Sequence, residues 1–106
     1  MEVNLNCQQF AEFIGNEEVT LLDVRTLEEY SEGHLPGAKL IDIHEPNFVA
    51  EMEQLPKSRT YAIYCRAGHR SKTALEIANR IGINNVVHLE PGIIQWIAED
   101  REIENV

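Results

Sequence analysis

Tyr61-Ala62-Ile63-Tyr64-Cys65-Arg66-Ala67-Gly68-His69-Arg70-Ser71 decides how this chain is read. Its first half is aromatic and β-branched, the composition of a strand. The apolar run over 60–65 ends in Cys65, and a short loop with Gly68, Arg66 and Arg70 follows. Beyond it, Ala74, Leu75, Ile77, Ala78 and Ile81 form one helical stripe, and Gly82 stops it. The spacing predicts a helix over 71–81. A strand, a tight glycine loop and a helix start together describe an anion-cradling turn with a thiol at its mouth.

The rest of the chain supplies the scaffold. Residues 3–5 read as a short edge strand, and Asn6 as the cap of a helix carrying Phe10, Phe13 and Ile14 up to Gly15. Residues 19–24 are apolar without alternation, which predicts a strand buried on both faces. Thr26 and Glu29 have capping-box spacing for a short helix over 26–31. A turn cluster, Gly33-His34-Leu35-Pro36-Gly37-Ala38, leads to a strand over 39–43. Weak helical character over 46–52, a strand over 86–89 and a helix over 92–98 complete the order. The polar end, 101–106, is expected to fray. Alternating strands and helices imply a parallel sheet with helices on both faces.

Composition narrows the function. The chain has 106 residues, one ordinary domain over 1–106, and a formal net charge of −9. That charge argues against nucleic acid and against an anionic membrane surface as partners. Yet no Asp or Glu lies between Glu53 and Glu76, while Lys57, Arg59, Arg66, Arg70 and Lys72 do. A cationic interval in an acidic chain suits a small anionic ligand. The two cysteines, Cys7 and Cys65, make no disulfide framework. No basic leader or long apolar run is present, so the expected compartment is a reducing cytoplasm.

Cys65 carries the chemistry in this reading. Backbone N–H groups of the loop and the start of the following helix would stabilise its thiolate, the nucleophilic form. Two chemistries fit such a site. In one, the thiolate takes sulfane sulfur from a donor and passes it on as a persulfide. In the other, it attacks a phosphate or arsenate.

The residues then point to a family. Leu22-Asp23-Val24-Arg25, Glu29-Tyr30 and the 33–38 cluster match the first signature of the rhodaneses, Tyr64 to Ser71 match their active-site loop, and Leu89, Gly92 and Trp96 match their last signature. The chain resembles a single-domain rhodanese over nearly its whole length. The resemblance implies a three-layer α/β/α fold with a five-stranded, mainly parallel sheet. It implies sulfurtransferase activity through a Cys65 persulfide, no cofactor, and a substrate cradle made by Arg66, Ala67, Gly68, His69, Arg70 and Ser71. Its partners would be a small anionic sulfur donor such as thiosulfate, and a thiol or cyanide acceptor, a protein thiol included. Four residues separate Cys65 from Arg70, whereas related cell-cycle phosphatases place five there. The short loop favours sulfur over phosphate. A non-enzymatic module for persulfide relay, sensing or protein interaction is the alternative. Pro91 stands where the family has the first glycine of a pair, so the loop before the last helix is expected to be stiffer or shifted.

Several residues have plainer roles. Asp23 and Arg25 are expected to pair and brace loops, and His34 to hydrogen-bond within its turn. Arg70 is expected to fold back on the loop, with Arg66 facing the donor. His69 either helps hold the anion or a leaving group, or faces solvent. His44 and His88 stand alone and lack metal-ligand spacing. Trp96 is read as core and Cys7 as an idle packed thiol.

Overall fold

The computed structural model describes residues 2–105. Its elements run β1 (Asn4–Leu5), α1 (Cys7–Ile14), β2 (Val19–Asp23), α2 (Leu27–Glu32), β3 (Lys39–Leu40), α3 (Phe48–Glu53), β4 (Thr60–Tyr64), α4 (His69–Arg80), β5 (Val86–Leu89) and α5 (Gly92–Ala98). The five strands lie in the order β1-β5-β4-β2-β3, and every strand pairing is parallel. This is the expected α/β architecture.

Strand alternation builds two cores. From β4, Tyr61 and Ile63 face Phe48, Met52, Ala74, Leu75 and Ala78 of α3 and α4. Ala62 and Tyr64 face the opposite way, toward Phe10, Ile93 and Trp96 of α1 and α5. A central strand covered on both faces needs the unbroken apolar run seen in the sequence. Trp96 is core as expected, with its indole N–H donating to the Glu102 carbonyl at 2.8 Å. Truncating a fully buried residue such as Ile63 would cost about 2–5 kcal/mol.

Local signals held where caps define them. Asn6 and Thr26 both form capping boxes, with Gln9 and Glu29 respectively. Other boundaries moved. The helix expected from residue 71 begins at His69, because Gly68 takes φ +96 and its carbonyl already accepts the Lys72 N–H at 3.1 Å. The strand expected over 39–43 stops at Leu40, although the Ile41 and Ile43 N–H groups still bond to Asp23 and Val24.

The expectation of a fraying tail is corrected. His34 and Glu104 form an antiparallel bridge, with N–H···O distances of 2.8 and 2.7 Å, and Ile103 packs on the second core. Polar composition concealed this backbone pairing. Val106 lies outside the described residues.

Topology places one crevice. Adjacent strands β2 and β4 end side by side, with Asp23 opposite Tyr64. Past those ends, β4 feeds α4 on one face, whereas β2 feeds α2, whose Tyr30 packs on the other. Connections that leave neighbouring strands toward opposite faces open a ligand crevice at the carboxyl ends. Cys65 is the first residue past β4.

Candidate active site

Cys65 sits at the bottom of the loop, 1% exposed. Its Sγ accepts the backbone N–H of Gly68 at 3.2 Å and of Ser71 at 3.3 Å. The Ser71 hydroxyl lies 3.5 Å from the sulfur. The second N–H belongs to the first turn of α4, where unpaired donors and the helix dipole favour negative charge. Two N–H groups converging on one sulfur suit negative charge at this position.

Two glycines hold the cradle's shape. A Cβ on Gly68 would stand 1.9 Å from the Glu90 carbonyl oxygen, and one on Gly92, at φ +77, 2.0 Å from the Arg66 carbonyl oxygen. The cradle therefore lies backbone to backbone on the turn before α5. There the Ile93 N–H donates to the Cys65 carbonyl at 2.9 Å and the Ile94 N–H to the Arg66 carbonyl at 3.1 Å. With the carbonyls drawn toward α5, the loop is free to turn N–H groups inward on the sulfur. Pro91 sits at this junction with helical φ −81, as N-cap of α5, so its fixed φ fits the turn.

The predicted site residues come together around the loop but do different things. Arg66, Ala67 and His69 are exposed at the rim, Gly68 and Ser71 are buried, and Arg70 is half-buried. Among the described residues the Arg66 guanidinium has no ion-pair partner. Arg70 folds back, as expected, with Nη1 and Nη2 donating to the two Glu29 carboxylate oxygens at 2.7 and 3.0 Å. Those bonds hold the Glu29 carboxyl down at about 2, although burial works against them.

A buried polar network braces the neighbouring strand end. Arg25 grips Asp23 through Nε and Nη2, and Nη2 also donates to the Gly33 carbonyl at 2.7 Å. The Tyr64 hydroxyl donates to Asp23 at 2.6 Å and accepts the Leu35 N–H at 3.0 Å. Burial, with Asp23 alongside, pushes that phenol well above its ordinary range. His34 Nδ1 lies 3.0 Å from the Tyr30 carbonyl, and its ring stacks on Tyr30. Asp23, Arg25 and His34 thus have the bracing roles expected of them. Cys7 is a packed thiol, and burial together with Glu99 pushes it up to about 11.

The sequence reading of His88 as an isolated histidine is corrected. It is 2% exposed, and its Nδ1 lies 2.8 Å from Ser71 Oγ, next to the sulfur. The available signal was a polar side chain in an otherwise apolar strand, which burial obliges to find partners.

Beside the loop lies a cleft of about 290 Å3, bounded by Arg66, Glu29, Ile94, Ile97 and Ile103. A larger cavity, about 550 Å3, lies between β3 and α3 and touches none of the cradle. Among the described residues no group of three or more His, Cys, Asp or Glu is arranged to hold a metal ion. Likewise, no helix there is long and apolar enough to cross a membrane.

Residues 6–99 match the family model described as Rhodanese-like domain. A "Sulfurtransferase" of Allochromatium vinosum is 38% identical over 80 residues, 76% of this chain and 73% of that protein. A "Probable adenylyltransferase/sulfurtransferase MoeZ" of Mycobacterium tuberculosis is 37% identical over 79 residues. That match takes in 74% of this chain but only 20% of the relative, so the chain spans about a fifth of its length. Among solved structures, a rhodanese-like domain protein from Staphylococcus aureus superposes with TM-score 0.82 at 28% identity, covering 100% of this chain and 99% of that one.

Proposed function

The chain belongs to the rhodanese-like domain family, and from that membership and the cradle we propose that it is a sulfurtransferase carrying sulfane sulfur on Cys65. The observation that carries the reading is the Cys65 sulfur held by the Gly68 and Ser71 N–H groups at the start of α4. Sulfurtransferase names among the relatives support sulfur transfer as the reaction class.

With thiosulfate as donor, the Cys65 thiolate attacks the outer sulfur. The Cys65 Sγ–S bond forms, the donor S–S bond breaks, and sulfite leaves with that bond's electron pair. The persulfide keeps one negative charge, facing the same backbone donors. An acceptor thiolate or cyanide then attacks the terminal sulfur and returns Cys65 as thiolate. Arg66 at the rim attracts the anionic donor, Gly68 and Ser71 donate N–H groups, and Ala67 and His69 shape the mouth. A reducing cytoplasm would keep both thiols free.

Incubation with thiosulfate followed by intact mass measurement tests the reading. A gain of one sulfur atom, absent in Cys65→Ser, is expected. No gain, or a gain that survives Cys65→Ser, overturns it.

A relay to a protein-borne thiol is the second reading. It is favoured by Ile94 and Ile97, 48% and 51% exposed beside the Arg66 cleft, which suit a protein surface better than a lone anion.

A further inference from the structure

The sulfur is the end of a hydrogen-bond chain that runs across the sheet to its edge. Cys65 Sγ lies 3.5 Å from Ser71 Oγ, Ser71 Oγ 2.8 Å from His88 Nδ1, and His88 Nε2 2.8 Å from Asn4 Oδ1. Asn4 is exposed on β1, and Asn4 and His88 are register partners of β1 and β5. The three inner side chains are buried, between 0 and 2% exposed.

Polarity along the chain follows from the donors available. Asn4 Oδ1 only accepts, so His88 Nε2 carries a hydrogen and Nδ1 is the acceptor. Ser71 has one hydroxyl hydrogen. The Gly68 carbonyl, 3.2 Å away, already receives the Lys72 N–H, whereas buried Nδ1 is the closer acceptor at 2.8 Å and would otherwise lack a donor, so that hydrogen goes to Nδ1. The Ser71 lone pairs are then left for the Cys65 S–H.

We propose that His88, acting through Ser71, is the proton acceptor that ionises Cys65, with Asn4 fixing its tautomer. The inference rests on Cys65 being the sulfur carrier. The Cys65 S–H bond breaks and a new Oγ–H bond forms, while the old Oγ–H bond breaks and an Nδ1–H bond forms. The electron pair stays on sulfur. The two bonds of the relay survive with their directions reversed: Nδ1–H donates to Oγ, and Oγ–H donates to the thiolate. Nε2–H still donates to Asn4. The result is a thiolate and an imidazolium held apart by one hydroxyl, and persulfide formation leaves that charge pattern unchanged. His88 touches no substrate; it is a positioning residue that also holds the proton.

The surroundings require the two charges to arise together. Burial holds the His88 imidazole below its ordinary range, Glu90 beyond its own strand pulls it upward, and Lys72 on α4 pushes it down. From β1, neutral Asn4 faces it, and from β4 the neighbour in register is apolar Ile63. With the thiol intact or blocked, His88 stays neutral; the thiolate is the charge that compensates its proton.

The test reads Cys65 ionisation without any sulfur donor, so its failure is separate from failure of sulfur transfer. His88→Asn puts an amide oxygen near the place of Nδ1, keeping an acceptor for Ser71 that takes no proton. Iodoacetamide alkylation of Cys65 at pH 7 is expected to slow about tenfold in His88→Asn, with the pH profile displaced upward. Alkylation at the wild-type rate overturns the proposal. Nitrogen-15 NMR of the wild-type imidazole decides the case should the variant not fold. Nδ1 protonated in the free enzyme over the pH range where Cys65 alkylates, and unprotonated after carbamidomethylation, is expected. Nδ1 unprotonated in both overturns it.

Discussion

Arg70 and Glu29 meet across 41 positions of sequence, both partly buried, and their two hydrogen bonds fasten the first turn of α4 to α2. Glu29 also accepts the Thr26 N–H, so one carboxylate caps its own helix and braces the cradle. In Glu29→Gln the cap contact persists and the ion pair goes. A loss of about 1 kcal/mol at pH 7 is expected in urea unfolding. The Glu29 carboxyl is lowered from 4.5 to about 2, so its contribution is complete above 4.5 and disappears as pH falls toward 2. The gap between wild type and variant should close over that interval. A constant gap would mean that charge is not its source.

Gly68→Ala meets two obstacles, a left-handed φ of +96 and the Glu90 carbonyl 1.9 Å from the new methyl group. A backbone obstacle does not swing aside as a side chain would. A destabilisation of about 3 kcal/mol or more is expected, together with loss of persulfide formation at temperatures where the protein remains folded. Wild-type stability by thermal melting would contradict the close packing of cradle on turn.

Tyr64→Phe removes a hydroxyl that serves two partners, Asp23 and the Leu35 N–H. The buried Leu35 N–H loses its acceptor, so about 2 kcal/mol of stability should go. Arg25 still holds Asp23, and the sulfur contacts are untouched, so folded protein should retain sulfur transfer. Activity falling well beyond the folded fraction would tie this network to catalysis.

Cys7 is pushed up to about 11, which leaves about one thiolate in ten thousand at pH 7. Brief alkylation of the folded protein is therefore expected to label Cys65 alone, read by peptide mass. Comparable labelling of Cys7 would refute its packed environment.

Legibility in the sequence tracked the distance between partners. The loop from Cys65 to Ser71 is local, and its strand, glycine and helix start were all visible in consecutive residues. The capping boxes were visible for the same reason. The pairing of Arg70 with Glu29, and of His88 with Ser71 and Asn4, depends on strand order, which no local pattern encodes. His88 looked isolated because its partners lie 17 and 84 positions away. The bridge between His34 and Glu104 is not legible in the sequence because backbone pairing leaves little trace in side-chain polarity.

The Cys65 and Arg66 carbonyls are already bonded to the start of α5, and Gly68 and Gly92 rest against backbone across that junction. If Cys65 is the sulfur carrier, those contacts leave the loop already in place before a donor arrives. Persulfide formation on mixing free enzyme with donor should then begin without a lag, because no ordering step precedes it. A lag would reveal an ordering step that this packing does not provide for.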